Sequence, residues 1–192
     1  MSKFQDHKDV AKKHNLGGDW YSFESGENKI KILAEPAGHA SHYLKAEKRG
    51  VTCAGDASCD YCIKGEKANV RFFTWVIDRK DSEVKPAWFP YSVFKGIGLL
   101  SEGSEYGFTD VVPPYDVIVN ATGEGLERRY TVNASRKDTP LSDEEKSAFL
   151  KVSNGHTPSE FVAKQVEKNP PVYAGVKEEI PVVEENEGET PF

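Results

Sequence analysis

The chain has 192 residues, of which 38% are hydrophobic, three cysteines and a formal charge of −6 from 25 basic and 31 acidic side chains. This supports one domain of ordinary size plus a tail, and two full domains would be crowded. No apolar run approaches the ~18 residues of a spanning helix, and three clustered cysteines make no disulfide framework, so a cytoplasmic protein without a membrane partner is expected.

Residues 3–14 read as a short helix that ends at Gly17 and Gly18, with Phe4, Val10, Ala11 and His14 near helical spacing. From Trp20 the period becomes two. In the segment from Asn28 to Leu33, Ile30 and Ile32 face one way, and Lys29 and Lys31 the other. HYLKA repeats the pattern, with Leu44 and Ala46 inward and Tyr43 and Lys45 outward.

All three cysteines follow, spaced Cys53-x5-Cys59-x2-Cys62, with His39 and His42 upstream. Three thiolates and one imidazole suit a tetrahedral Zn²⁺, and a shell closed by four protein ligands is structural. His42, which opens an apolar strand, is the preferred fourth ligand, and His39 is the alternative. A redox CxxC would follow a βαβ pattern, which is missing. A zinc deaminase needs Pro before the CxxC and an upstream His-x-Glu; here Ser58 precedes Cys59, and Ala40 and Ser41 follow His39.

Val70 to Asp78 is the next strand. Placing Val70, Phe72 and Val76 inside leaves Arg71, Phe73 and Trp75 on the outer face, a surface on which bases can stack. The alternative is burial of both faces, common for short apolar runs in a small barrel. Val84 to Phe89 forms an edge strand because Pro86 cannot donate to a ladder, and its Lys85 and Trp88 point to opposite sides. Ser92 is expected to cap a helix carrying Val93, Phe94, Ile97 and Leu100.

After a loop, DVIVNA and ERRYTVNAS make a hairpin, with Arg128, Arg129 and Tyr130 available to extend a basic, aromatic surface. Ser142-x-x-Glu145 and Thr157-Pro158-x-Glu160 are capping boxes before two helices, and Asn169-Pro170-Pro171 ends the second. Residues 175–192 are expected to be a disordered acidic tail. Six glutamates and no base lie in 178–192, so the remaining 25 acids balance 25 bases. The tail ends Thr190-Pro191-Phe192, an apolar tip suited to docking.

The expected class is mainly β (α+β). Residues 20–174 form an oligonucleotide-binding (OB-fold-like) Greek-key barrel with a zinc-binding loop at 39–62 and flanking helices, after an N-terminal helical segment at 1–19. Neither a P-loop nor a dinucleotide-binding glycine motif is present.

Several pieces in order, GENKIKIL (Gly26 to Leu33), HY before the cysteine cluster, VIDR (Val76 to Arg79), SVFKGI (Ser92 to Ile97), FTD (Phe108 to Asp110) and TPLS (Thr139 to Ser142), resemble phage single-stranded DNA-binding proteins of the zinc-containing, T-even type. The resemblance covers about residues 20–145. The final Glu189-Thr190-Pro191-Phe192 is similar to the acidic tip of bacterial single-strand binders, which implies recruitment of replication and recombination proteins through Pro191 and Phe192.

The function expected is sequence-tolerant binding of single-stranded DNA in replication, recombination and repair. Lys29, Lys31, Lys45, Arg49, Arg71, Lys85 and Arg129 would meet phosphates, and Tyr43, Phe73 and Trp75 would stack on bases. A zinc-stabilised RNA-binding or protein-interaction module is the alternative. No nucleophile and base pair suggests an enzyme.

Overall fold

The computed structural model describes residues 20–174 except 56, 104 and 111. The predicted N-terminal helix and the acidic tail with Pro191 and Phe192 lie outside the described residues. In chain order the elements are β1 (Gly26–Ile32), β2 (Ala37–Leu44), β3 (Arg49–Thr52), a one-turn helix α1 (Asp60–Ile63), β4 (Asn69–Asp78), β5 (Glu83–Pro90), α2 (Tyr91–Ser101), β6 (Tyr115–Thr122), a 3₁₀ turn (Gly125–Glu127), β7 (Arg129–Asp138), α3 (Asp143–Ser153) and α4 (Pro158–Lys168).

The fold is mainly β, as expected. One antiparallel sheet runs β3-β2-β4-β1-β6-β7, with β5 on the remaining edge of β4. Strand β4 organises it. Along one edge it pairs with β5 from Arg71 to Asp78; along the other, Asn69 to Phe73 meet β2 and Val76 to Asp78 meet β1. Strands β1 and β2 thus follow one another along a single neighbour. The link between them is held by Leu33 N donating to Trp75 O at 3.0 Å and Thr74 Oγ1 donating to Ala34 O at 2.7 Å. Among the described residues the sheet is open, because β5 and β7 do not pair. Tyr21 N bonds Pro86 O at 2.9 Å beside β5, and the Phe23 ring lies against both Phe89 and Tyr130, so this segment fills the seam with its own side chains.

Helix α2 packs beneath β5 and β7 through Val93 and Ile97. Its cap is not Ser92. Pro90 occupies the N-cap position without a side-chain bond, because β5 runs directly into the helix and leaves Ser92 exposed inside the first turn. Gly96 is dictated by close approach, since a Cβ there would sit 2.5 Å from Val132 Cγ2. Helices α3 and α4 begin as expected, each with both bonds of its capping box in place.

Two apolar clusters lie on opposite faces of β4. One contains Ile30, Ile32, Val76, Phe89, Val93 and Val117; the other contains Phe73, Trp75 and Ile77 under α3 and α4, with Val162 of α4. The alternation predicted for β4 is present, with Phe73 and Trp75 on the face away from Phe72 and Val76. That face is nevertheless covered. Phe161 of α4 stacks on Phe73 with centroids 3.9 Å apart, Phe149 of α3 lies 5.8 Å from Trp75, and the two strand rings are 0% and 3% exposed. Their proposed role in base stacking is therefore corrected to a core role.

The helices are also held by charge. Arg79, after β4, donates to Asp116 Oδ1 and Oδ2 at 3.0 and 3.1 Å and pairs with Glu145, the capping-box residue of α3. A register shift in β6 between Tyr115 and Val117 presents Asp116 to this arginine, and Thr139 Oγ1 adds a bond of 2.9 Å. Burial pushes the Glu145 carboxyl up, but the Ser142 N–H and the Arg79 guanidinium outweigh it and hold the group below its ordinary 4.5. A carboxylate lowered by folding stabilises above its unfolded value and loses that contribution as pH falls through the folded one.

Phe161→Ala is expected to cost about 3–5 kcal/mol, read as a lower urea midpoint, because it opens a cavity over Phe73. Below about pH 4.5, the stability of the wild type should fall more steeply than that of Glu145→Gln, measured as urea midpoint against pH.

Candidate functional site

The β2–β3 hairpin, the loop after it and α1 bring four donors together. His42 Nε2 lies 3.4 Å from both Cys59 Sγ and Cys62 Sγ, and Cys53 Sγ lies 3.5 Å from Cys62 Sγ. All four ligand atoms fall within 4.8 Å of one another. Bonds of about 2.3 Å to sulfur and 2.0–2.1 Å to nitrogen, arranged tetrahedrally, separate sulfur from sulfur by ~3.8 Å and nitrogen from sulfur by ~3.5 Å. The cluster matches that spacing and is compatible with a metal site.

Local backbone explains the arrangement. Gly55, at φ +94°, turns the chain so that its own N–H points at Cys53 Sγ at 3.4 Å, and its carbonyl accepts from Cys59 N at 2.8 Å. Cys59 then precedes α1, and the helical turn returns Cys62 to the same point. Burial would raise the Cys59 thiol, but the N–H groups of Cys62, Ala54 and Tyr61 outweigh it and bring it down to about 6. Burial, with Cys53 and Cys59 beside it, pushes Cys62 up to about 12. His39 is not in the cluster. Three residues from His42 on one strand, it faces the opposite side, with its ring 5.8 Å from Trp88.

That opposite side is a groove in three adjoining parts. The central part lies over β2, β4 and β5 and includes His39, Tyr43, Asn69, Arg71 and Trp88. Arg71 and Trp88 also line the second part, with Trp20, Arg128 and Tyr130 at the β5–β7 seam. Tyr43 is shared with the third, which runs past Lys45 to Tyr61 and Lys67 and also carries Glu47 and Glu66. Rings therefore recur along the whole length, with Tyr43 at 63% and Trp20 at 44% exposure and Trp88, Tyr61 and Tyr130 half-buried. The Tyr61 ring lies 5.4 Å from His42, so the four-donor cluster backs one end of the groove.

No family model, curated protein or solved structure matches the chain.

Of the residues expected at a binding surface, Tyr43, Lys45 and Arg71 line the groove. Arg49 lies on β3 and pairs with Glu47, and Arg129 is exposed on β7, outside the groove lining. Lys29 lies on another face, 3.5 Å from Asp116. Two assignments are corrected along with Phe73 and Trp75. Lys31 is 5% exposed and donates to the carbonyls of Pro113 and Pro114 at 3.1 and 2.7 Å, because the loop before β6 folds over it. Lys85 is held between Asp78, at 3.0 Å, and Asp81 of its own hairpin.

The purified protein should carry one metal ion per chain by elemental analysis. His42→Ala and Cys59→Ser should lose it and His39→Ala keep it.

Proposed function

We propose that this chain binds single-stranded DNA along the three-part groove, without strong sequence preference over most of its length. The observation that carries the reading is the sharing of Arg71 and Trp88 between two adjoining clefts. One cation and one flat ring sit at the junction, with further rings and bases on either side. Such an alternation meets phosphates and stacks unpaired bases, each stacked base contributing on the order of 1–3 kcal/mol.

The topology supports an oligonucleotide-binding barrel. We read the order β5-β4-β1-β6-β7, with α2 packed on β5 and β7, as a five-stranded, partly open barrel, and β2, β3 and α1 as the insertion that carries the four donors. For that cluster we favour Zn²⁺ in a structural role. Three thiolates and an imidazole select a soft, tetrahedral ion, and four protein donors leave no open position for a substrate. His42, Cys53, Cys59 and Cys62 would hold it and thereby fix Tyr61 beside the groove.

The acidic tail is proposed, from its sequence alone, to recruit replication and recombination proteins through Pro191 and Phe192. The zinc-stabilised RNA-binding alternative is separated by competition between DNA and RNA oligomers of equal length. No catalytic activity is proposed.

Oligo-dT should quench tryptophan fluorescence through Trp88 and Trp20, and affinity should fall linearly on a log–log plot as salt rises. Trp88→Ala is expected to weaken binding by about 5- to 150-fold, with folding checked by circular dichroism. Binding that neither quenches nor depends on salt would reject the groove.

A further inference from the structure

Resting on the reading of the four donors as a Zn²⁺ site, we propose that the filled cluster fastens the root of the acidic tail, residues 170–174, to the cysteine loop, and that emptying the cluster releases this root without unfolding the domain.

One residue carries the link. Cys59 offers its Sγ to the cluster, 3.4 Å from His42 Nε2, and its backbone forms an antiparallel bridge with Tyr173. In that bridge Ala174 N donates to Ser58 O at 2.9 Å and, more weakly, Asp60 N donates to Val172 O at 3.5 Å. Helix α4 ends at Lys168, and Asn169 N still donates to Gln165 O. Past Asn169, the described backbone bonds run to the cysteine loop.

The loop has little apolar packing of its own. From Cys53 to Glu66 Cys59 alone is buried among the described residues, and α1 is a single turn that buries none. So short a helix does not persist on its internal bonds. Cys53 N donates to Ala40 O at 2.9 Å, which ties the start of the loop to β2. What draws the remainder, through Cys59 and Cys62, onto His42 of the same strand is the donor set. An ion held by all four donors turns its binding free energy into local folding free energy. The rest of the domain does not pass through this loop: α4 is anchored by Phe161 on Phe73 and by Val162, and β3 reaches Asn169 O through Thr52 N. Loss of the ion therefore acts locally.

The release has a geometric consequence. Glu178, the first acid of the tail, follows Ala174 by four residues. With the root fastened, the tail starts at the cysteine loop, beside the Tyr61 end of the groove. Freed, it starts at the end of α4 and gains Pro170 to Ala174 as tether, roughly 17 Å at full extension. Occupancy of the cluster thus sets where the tail begins and how far Pro191 and Phe192 reach.

The test is amide hydrogen exchange, read by mass spectrometry, on the full chain loaded with Zn²⁺ and on the same chain stripped by a chelator under reducing conditions. Stripping should speed exchange at Ala174 and Asp60 by at least about tenfold, as a bridge gives way to fraying chain, while the amides of Val162 and Gln165 in α4 keep their protection. Returning Zn²⁺ should restore the slow exchange. Cys62→Ser should show the fast exchange without chelator, and where that variant does not fold the stripped wild type decides. Equal exchange at Ala174 and Asp60 with and without Zn²⁺ would overturn the fastening and leave the metal site standing. Loss of protection throughout α4 as well would also overturn it, since the ion would then hold the whole domain. A chain that retains no Zn²⁺ by elemental analysis would remove the metal reading, and the proposal with it.

Discussion

The structure depends on how one strand face is divided. From Asn69 to Trp75, β4 presents Asn69, Arg71, Phe73 and Trp75 in alternation on the side away from the main core. Helices α3 and α4 cover the last two, with Phe161 lying flat on Phe73, and stop short of the first two. Burying a large ring stabilises by about 1.5–3 kcal/mol, so the covered half anchors the helices. The uncovered half keeps its polar groups in water. The boundary between them falls at Trp88, directly across from Phe73 and half-buried. The same face is therefore core at one end and open surface at the other.

The two helices gain their position from separate forces that converge. Ring stacking sets where α4 lies, while the contact of Arg79 with Asp116 and Glu145 fixes the start of α3 against the sheet. Asp116 is nearly inaccessible, and its charge is tolerated because Arg79 and Thr139 satisfy it directly. A buried carboxylate with one of these partners removed would be costly. The register shift that aims it inward is thus part of how the helices are held.

Much of this was legible in the sequence. The cysteine spacing with His42 led to the four-donor cluster, because ligand sets are written locally, and the capping boxes led to both helix starts. Alternation also placed Phe73 and Trp75 on the correct face. What alternation does not carry is the identity of whatever packs on that face, and α4, some ninety residues later in the chain, supplies it. Lys31 failed for the same reason, since the carbonyls that bind it belong to Pro113 and Pro114. Trp88 and His39 were missed as groove residues because their place depends on strand register. Pairing Phe73 with Trp88, and His39 with Arg71, would have put all four on one side. Tyr61 lay between two proposed ligands and carried no periodic signal.

The cysteine loop is sewn to the far end of the domain. Asn169 O accepts from Thr52 N at 3.2 Å, Ala174 N donates to Ser58 O at 2.9 Å, and Tyr173 forms a bridge with Cys59. More than a hundred residues separate these partners, so the closure entropy of that long loop is met before the contacts form. On a nascent chain, the loop is synthesised early yet waits for its last backbone partners until nearly the whole domain has left the ribosome.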